Sequence, residues 1–316
     1  MNFYNKNTIK NININYPDIY FTPEYGIACE YSDDAIWELC QYKDLIYVYL
    51  KKPIECEGKT YYDLITPYGY SGYYYEKKET YDEFIPIFRK EAKEKNYITE
   101  VLRQNPYLNI NISGYNIITS KTIYGIEIDN FDNYFKNILR SSPRCKYNKA
   151  FKNNLKFEFI SIENSILQDK FVKLYNLNMN KLNASKYYYF NDDYFKSLEN
   201  IKNNNLILIR NKDNNIIGSS IIFTYNDIIH YHLSCNDKSI NCITDFLLIT
   251  TLKILGINKL FILGGGLKDG DNLSKFKKKL SNKEFQYTIY KNILNKEIYD
   301  KLCQNTINDF FPSYRK

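Results

Sequence analysis

The second half of the chain contains an ordered series of apolar segments, and this order constrains the fold more than any other feature. Three strand-like runs at 206–209, 216–224 and 228–234 are separated only by short turns rich in Asn and Asp. Such spacing predicts adjacent antiparallel strands. An apolar helical segment at 242–255 then precedes a fourth strand at 260–263. The order predicts an α+β (mixed α/β) fold and disfavours a doubly wound nucleotide-binding fold.

Periodicity and turn residues predict the remaining elements. Helices are expected at 33–40, 81–95, 131–139, 146–154, 164–183, 192–201, 273–280 and 296–304. Strands are expected at 45–50, 61–72 (where a strand enters a Pro/Gly loop), 98–103, 116–119, 122–128 and 285–290. A basic, turn-like stretch at 140–144 marks the predicted domain boundary. It gives an N-terminal lobe of residues 1–143 and a C-terminal lobe of residues 144–316.

The charge of the chain is unevenly distributed. Residues 1–140 contain 16 Lys and Arg against 20 Asp and Glu, whereas residues 141–316 contain 27 against 16. A basic half favours an anionic partner such as a nucleotide, a phospholipid headgroup or RNA. The abundance of Asn, Lys, Ile and Tyr offers a second explanation, because their codons are AT-rich and would enrich surface Lys without any functional reason.

Several classes of protein are disfavoured by composition. The seven Cys are scattered and form no C-x-x-C motif, which argues against a disulfide framework or a zinc ribbon. The first seven residues are polar and resemble no signal peptide. The apolar stretch at 246–255 is too short to span a bilayer. We therefore expect a cytoplasmic protein with reduced thiols, no metal and no stable membrane insertion.

The sharpest local motif is Gly264-Gly265-Gly266, which follows the predicted strand at 260–263. Glycines at a strand end allow positive φ angles and close approach of a ligand, and successive backbone amides can bind an anion or a carbonyl oxygen. A simple tight turn explains the motif equally well. No G-K-[ST] follows, and the G-x-G-x-x-G spacing is missing, so neither a P-loop nor a dinucleotide site is predicted.

A Lys-rich segment follows this turn, with five Lys and no acid between residues 275 and 283. A lysine on the face turned towards the glycines would stabilise an oxyanion or hold a phosphate. The other lysines are expected to be solvated surface residues.

Two other motifs carry polar groups. In His230-Tyr231-His232 the two imidazoles share one face of a predicted strand and Tyr231 faces the other side. This spacing can chelate a metal, but packed histidines near the edge of a site are the commoner arrangement. The loop at 62–72 combines several Tyr with Asp63, which suits a sugar or nucleotide substrate or, alternatively, an ordinary tyrosine-rich turn.

Taken in order, six segments resemble the FemABX-like branch of the GNAT acyltransferase superfamily. They are Tyr62–Gly72, Glu100–Pro106, Tyr175–Ala184 with Tyr188–Phe190, Tyr231–Ser234, Leu263–Gly266 and Phe276-Lys277. The resemblance implies two GNAT-like lobes, each a mostly antiparallel mixed sheet flanked by helices. It also implies a transferase that uses no metal or bound cofactor.

The resemblance further implies roles for individual residues. Lys277, in the Phe-Lys pair, is the expected catalytic residue, and Lys181 matches a basic residue that contacts acceptor phosphates. The predicted substrate-binding residues are Asp63, Tyr68, Tyr70, Arg103, Lys181, Tyr231, His232, Gly264, Gly265, Gly266 and Phe276. Asn105-Pro106 replaces an Asp-Pro pair of the peptidoglycan enzymes, which argues against a peptidoglycan acceptor.

The expected reaction transfers an acyl or aminoacyl group to an amine of a cell-wall or glycan precursor, with aminoacyl-tRNA as donor. The acceptor would be an anionic small molecule or a lipid-linked sugar. One alternative is an acyl-CoA-dependent N-acetyltransferase acting on an amino sugar. However, residues 235–242 contain no glycine for a pyrophosphate loop. The other alternative is a non-catalytic relative that binds glycan or RNA.

Overall fold

The computed structural model describes residues 1–162, 167–202, 204–237, 240–304 and 309–316. Packing divides the chain into two compact units. The first comprises Met1–Ser120 together with Tyr287–Lys316, and the second comprises Lys121–Gln286.

The first unit is built on strands connected mainly by hairpins. Its strands are β1 (Asn2–Tyr4), β2 (Ile36–Tyr42), β3 (Leu45–Cys56), β4 (Lys59–Ile65), β5 (Gly72–Tyr74) and β6 (Tyr97–Arg103), with parts of β7 (Asn116–Glu127) and β13 (Lys283–Ile293). Its helices are α1 (Pro23–Asp33), α2 (Lys78–Glu94) and α9 (Lys296–Cys303). The pairing order is β1-β2-β3-β4-β6-β13, and β5 pairs with β3.

One parallel pair interrupts this antiparallel sheet. β4 and β6 run parallel, whereas β1–β2, β2–β3, β3–β4 and β6–β13 are antiparallel. Parallel neighbours require a crossover, and α2 supplies it by packing Phe84 and Phe88 into a core of tyrosines.

The second unit repeats this plan. It contains β8 (Lys156–Ser161), β9 (Asn204–Arg210), β10 (Ile216–Tyr225), β11 (Ile228–Asn236) and β12 (Leu260–Gly265), with the second half of β7. Its helices are α3 (Phe131–Asn133), α4 (Ser141–Lys152), α5 (Lys173–Lys181), α6 (Asp192–Leu198), α7 (Ile243–Leu255) and α8 (Asn272–Leu280). The pairing order is β7-β12-β11-β10-β9-β8.

Here too a buried helix makes the crossover to a parallel neighbour. α7 joins β11 to β12, which pair in parallel only through Ile228–His230 and Leu260–Ile262. Both strands extend further, to Asn236 and Gly265, so in this described part of the sheet they separate beyond the paired residues. The end of β12 is thereby released from β11 and can carry a turn.

The predicted fold class is confirmed, since each unit contains a mostly antiparallel mixed sheet with flanking helices. The three adjacent strands of the second unit and the helix after them also form as expected. The predicted strands at 116–119 and 122–128 form the single strand β7. Residues 163–166, at the start of the predicted helix at 164–183, lie outside the described residues.

The predicted helix at 33–40 is wrong. Asp34 adopts a left-handed φ of 50° and ends α1, a helix that begins after Thr22 with Pro23 in its first turn. Ile36–Tyr42 then pairs with β3 along its whole length. The Ser32-Asp33 pattern therefore marks the end of one helix, and pairing with a neighbouring strand outweighs local helical spacing in the next residues.

The compact units divide the chain at 120/121 and 286/287, whereas the sequence placed one boundary after residue 143. The single predicted boundary assumes that each lobe is continuous in sequence. In the structure the residues of β13 from Ile289 to Ile293 pair with β6, so the C-terminal segment belongs to the first unit.

Two global features concern chemistry and location. All seven Cys are free thiols. No helix within the described ranges is long and apolar enough to cross a membrane.

The crossover helix α7 provides a direct test of this fold. Leu248 is fully buried in the core of the second unit, whereas Ile254 on the same helix is 52% exposed. We expect Leu248→Ala to destabilise the second unit by about 2–5 kcal/mol, because removal of a buried side chain leaves a cavity. Ile254→Ala should cost well under half as much in urea unfolding. Equal effects of the two substitutions would contradict the orientation of α7.

Candidate active site

The candidate site of the second unit is centred on Lys277. This residue lies in the last turn of α8 and is 8% exposed. Its Nζ donates a hydrogen bond of 2.8 Å to the carbonyl oxygen of Gly265 and lies 6.0 Å from the ring centroid of Tyr231. The structure therefore brings together three of the predicted site residues.

A second lysine binds the same turn. Lys121, on β7, donates from Nζ to the carbonyl oxygen of Gly266 over 3.1 Å. Consecutive carbonyls of the glycine turn thus each accept from a lysine. The sequence predicted that this turn would present backbone amides, whereas the contacts seen here use its carbonyl oxygens.

Glycine is required in this turn by conformation and by space. Gly264 has a φ of +75°, which side chains disfavour. A Cβ on Gly265 would lie 2.7 Å from the carbonyl oxygen of Thr122, and one on Gly266 would lie 2.3 Å from Oδ1 of Asp271. Larger residues would displace the carbonyls that bind the two lysines.

Asp271 fixes the segment between the turn and α8. Its carboxylate accepts from the backbone amides of Ser274, Leu267 and Lys268 at 2.7, 2.7 and 3.1 Å, and it caps α8. The hydrogen bond from the Ser274 amide is the largest of the causes that lower the pKa of Asp271. The capped helix start sets the direction in which α8 presents Lys277.

Burial changes the charge state of Lys277. Removal from water, the largest cause, and the positive charge of Lys121 together lower the pKa of its ammonium group to about 7, against an opposing effect of Asp271. A lysine with a pKa near 7 exchanges a proton readily at neutral pH. It can therefore donate to a developing oxyanion as an ammonium or accept a proton as an amine.

The His-Tyr-His segment divides between two faces of β11, as strand alternation predicts. Tyr231 packs against the core on the α7 side, and its hydroxyl lies 2.5 Å from Oγ of Ser234. His232 faces the other side, where its Nε2 lies 2.8 Å from the hydroxyl of Tyr194 and its ring lies 4.4 Å from that of Phe223. Burial lowers the pKa of His232 well below its ordinary value, so the ring is neutral at pH 7.

Two other predicted residues lie on the helices α8 and α5. Phe276 is half-buried against the core of the second unit, with the Lys146 ammonium 6.0 Å from its ring centroid. Lys181 is exposed in the last turn of α5. Their predicted roles in substrate binding stay predictions.

The predicted site residues of the first unit are held by internal contacts. The Asp63 carboxylate, 5% exposed, accepts from Nε of Arg315 at 2.8 Å, from the Tyr314 hydroxyl at 2.6 Å and from Oγ1 of Thr99 at 2.5 Å. A substrate hydroxyl would have to replace one of these donors to bind Asp63.

The aromatic loop of the first unit is also anchored by its backbone. The carbonyl oxygen of Tyr68 accepts from the Tyr25 hydroxyl at 2.7 Å. The carbonyl oxygen of Tyr70 accepts from the side-chain amide of Asn105 at 3.0 Å. Arg103 donates to the carbonyl oxygen of Thr66 at 3.0 Å. Asn105 thus performs a structural role that a carboxylate, which has no N–H, could not perform.

Sequence reasoning missed Lys121 and Asp271. Lys121 lies at the junction of two predicted strand segments, where nothing local separates it from other surface lysines. Asp271 left a signal, because an Asp three residues before Ser274 and ahead of an amphipathic segment is a typical helix cap. Among the described residues, no three His, Cys, Asp or Glu side chains are grouped as metal ligands would be.

These features define the chain as a mixed α/β protein with two units of similar plan and, in the second unit, a buried lysine bound to a glycine carbonyl. No protein-family model matches the sequence, and no curated protein sequence matches it.

Solved structures share the fold. The crystal structure of FemX superposes with a TM-score of 0.65 at 12% identity, over 90% of this chain and 94% of FemX. L-PGS from Bacillus licheniformis gives 0.60 at 14% identity, over 83% and 85% of the two chains. The C-terminal domain of a putative lysylphosphatidylglycerol synthetase from Agrobacterium fabrum gives 0.58 at 12%, over 87% and 89%. The chain therefore has the FemX-type fold, which confirms the resemblance at the level of the fold.

The proximity of Lys121 to Lys277 predicts a measurable change of pKa. Lys121→Ala removes a like charge, so the pKa of Lys277 should rise from about 7 towards the ordinary value of a lysine. Titration of the side-chain resonances of Lys277 by NMR measures this shift. Lys275→Ala, at an exposed position of α8, is the matched control and should leave the pKa of Lys277 unchanged. An unshifted titration in Lys121→Ala would contradict the placement of Lys121.

The Asp63–Arg315 pair predicts a loss of stability in the first unit. Arg315→Ala leaves a buried carboxylate without its cation, which should cost about 3 kcal/mol. Lys316→Ala, at the exposed neighbouring position, serves as the control. Urea unfolding followed by tyrosine fluorescence measures both variants, and equal midpoints would show that the pair adds nothing to stability.

Proposed function

We propose that the chain is an acyl- or aminoacyltransferase that acylates an amine, with Lys277 as its catalytic residue. The observation that carries this proposal is a buried lysine with a pKa of about 7 whose Nζ lies 2.8 Å from the Gly265 carbonyl oxygen. A purely structural ion pair does not account for it, because a backbone carbonyl is its hydrogen-bond partner and the cation Lys121 affects its pKa more than the acid Asp271 does. Perturbed titratable groups of this kind cluster at functional sites.

The proposed chemistry is direct aminolysis. The acceptor nitrogen attacks the carbonyl carbon of the donor ester, a C–N bond forms, and the negative charge moves to the carbonyl oxygen. Lys277 in its ammonium form donates to this oxyanion. When the intermediate collapses, the C–O bond of the donor breaks and the leaving oxygen takes the proton that the amine gives up.

The acyl oxygen would compete with Gly265 for Lys277. In the present arrangement the ammonium group is bound to a neutral carbonyl oxygen, and an oxyanion is a stronger acceptor for the same donor. Lys121 adds positive charge to the turn and thereby favours a negatively charged ligand atom there. Interactions that strengthen as charge develops lower the barrier of the chemical step.

The proposed donor is aminoacyl-tRNA, and the proposed acceptor is an amine of a cell-wall or glycan precursor, carried by an anionic small molecule or a lipid-linked sugar. The names of the neighbours support an aminoacyl donor, since lysylphosphatidylglycerol synthetase is named for an aminoacylated phospholipid. The basic excess of residues 141–316 suits a tRNA or a phosphate-bearing substrate. The turn before α7 has no glycine, which disfavours acyl-CoA, although residues 238–239 lie outside the described part of the chain.

The test is transfer by purified protein and its variants. Lys277→Ala should lower the transfer rate at least about 100-fold, because it removes an oxyanion donor, while thermal unfolding changes little. Lys278→Ala is the control, since this neighbouring lysine is exposed and paired with Glu284. Wild-type activity in Lys277→Ala would overturn the proposed site.

Two further measurements separate the alternatives. Radiolabelled aminoacyl-tRNA and acetyl-CoA, offered with the same amino-sugar acceptors, identify the donor. No transfer from either donor would favour the non-catalytic relative. If the ammonium form of Lys277 is active, kcat should fall as the pH rises through about 7, because the proton is then lost. A rate that rises through the same pH would assign Lys277 to proton acceptance.

A further inference from the structure

An apolar groove lies on the outer face of the second unit, on the side of α4 and α7. It has a volume of about 430 Å³. Apart from Thr250 and Lys253, every side chain that lines it is aromatic or aliphatic. Neither the proposed chemistry nor the predicted site residues use this groove.

Large apolar side chains at the groove are exposed to solvent. Phe151 is 55% exposed and Ile254 is 52% exposed. Phe151 is held in place from one side by edge contacts with Tyr147 and Phe246, with ring centroids 5.2 and 5.3 Å away. An ordered apolar patch of this kind is typical of a surface that meets a partner or a membrane.

The helix that carries Phe151 is rich in basic residues. The segment 141–156 contains five basic residues and no Asp or Glu. Lys146 pairs with the buried Asp245 at 3.3 Å, and Arg144 donates to backbone carbonyls of Lys136 and Leu139, so these two are engaged in the fold.

Three other lysines lie on α4 and α7, the two helices that line the groove. Lys149 and Lys152 are exposed in the last turn of α4, and Lys253 lines the groove. None of the three forms an ion pair with another described residue.

We infer that this groove and its lysines form a docking surface for an anionic phospholipid bilayer. Phe151 and Ile254 would enter the boundary between headgroups and acyl chains, and Lys149, Lys152 and Lys253 would bind lipid phosphates. This is the arrangement of an interfacial amphipathic helix, which lies on a membrane without crossing it. Ile254, one of the two exposed apolar side chains at the groove, is aliphatic, which favours lipid over single-stranded RNA, because bases bind by stacking on aromatic faces.

Vesicle co-sedimentation of the full chain tests this inference. The protein should bind vesicles of phosphatidylcholine with phosphatidylglycerol and bind pure phosphatidylcholine vesicles weakly. Lys149→Gln with Lys152→Gln should weaken binding roughly 25-fold, since each lysine near an anionic surface contributes about fivefold. Phe151→Ser with Ile254→Ser should also release the protein although its charge is unchanged.

Matched controls carry the same chemical changes elsewhere on the second unit. Lys186→Gln with Lys212→Gln removes the same charge, and Leu177→Ser with Leu182→Ser removes exposed apolar side chains. Both should bind vesicles like the wild type, and circular dichroism should show every variant folded.

Several outcomes would overturn the inference. The first is equal binding to neutral and anionic vesicles, and the second is no vesicle binding at all. The third is wild-type binding by both the double lysine variant and the Phe151→Ser, Ile254→Ser variant. Light scattering and tRNA filter binding identify other occupants. A wild-type dimer that Phe151→Ser with Ile254→Ser makes monomeric would assign the groove to a second copy of the chain. Loss of tRNA binding in the same variant, without vesicle binding by the wild type, would assign it to RNA.

Discussion

The separation of β11 from β12 is the constraint on which the candidate site depends. α7 is apolar and buried, and it brings β12 alongside β11 in parallel for three residues of each strand. Beyond them, β12 keeps its antiparallel pairing with β7, through Gly264 and Gly265, but is no longer paired with β11. A fully paired strand would use its backbone groups in the sheet, whereas the end of β12 offers the carbonyl oxygens of Gly265 and Gly266 to Lys277 and Lys121. Burial of Lys277 at this point lowers the pKa of its ammonium group. The proposed chemistry depends on that lowered pKa.

The same plan appears in both units, although the sequence shows no repeat. In each unit, antiparallel strands lead through one helix, α2 or α7, into a parallel neighbour. The helices that make the crossover differ in character, because α2 is amphipathic and α7 is apolar over most of its length. Apolar side chains can fill the same core in many combinations. The two units can therefore share a topology without sharing a sequence pattern.

Much of the fold was accessible from the sequence because its signals are local. Hairpin turns at 213–215 and 226–227, the apolar run of α7 and the glycines at the end of β12 predicted the core of the second unit. The exceptions depend on distant partners. Ile36–Tyr42 became a strand because β3 lies beside it, and Lys121 joined the site because β7 pairs with β12. The contacts of Asp63 with Tyr314 and Arg315 join residues about 250 positions apart, and no window of sequence contains both.

These long-range contacts have a consequence for synthesis of the chain. The first unit needs residues 287–316, whereas the second unit is continuous from 121 to 286. A ribosome therefore synthesises every residue of the second unit before residues 287–316 of the first. The N-terminal strands must wait while residues 121–286 are made, with β6 lacking its neighbour β13 and Asp63 lacking its cation, and strand edges left open in this way are prone to mispairing. Synthesis of the first unit therefore begins before that of the second unit and ends after it.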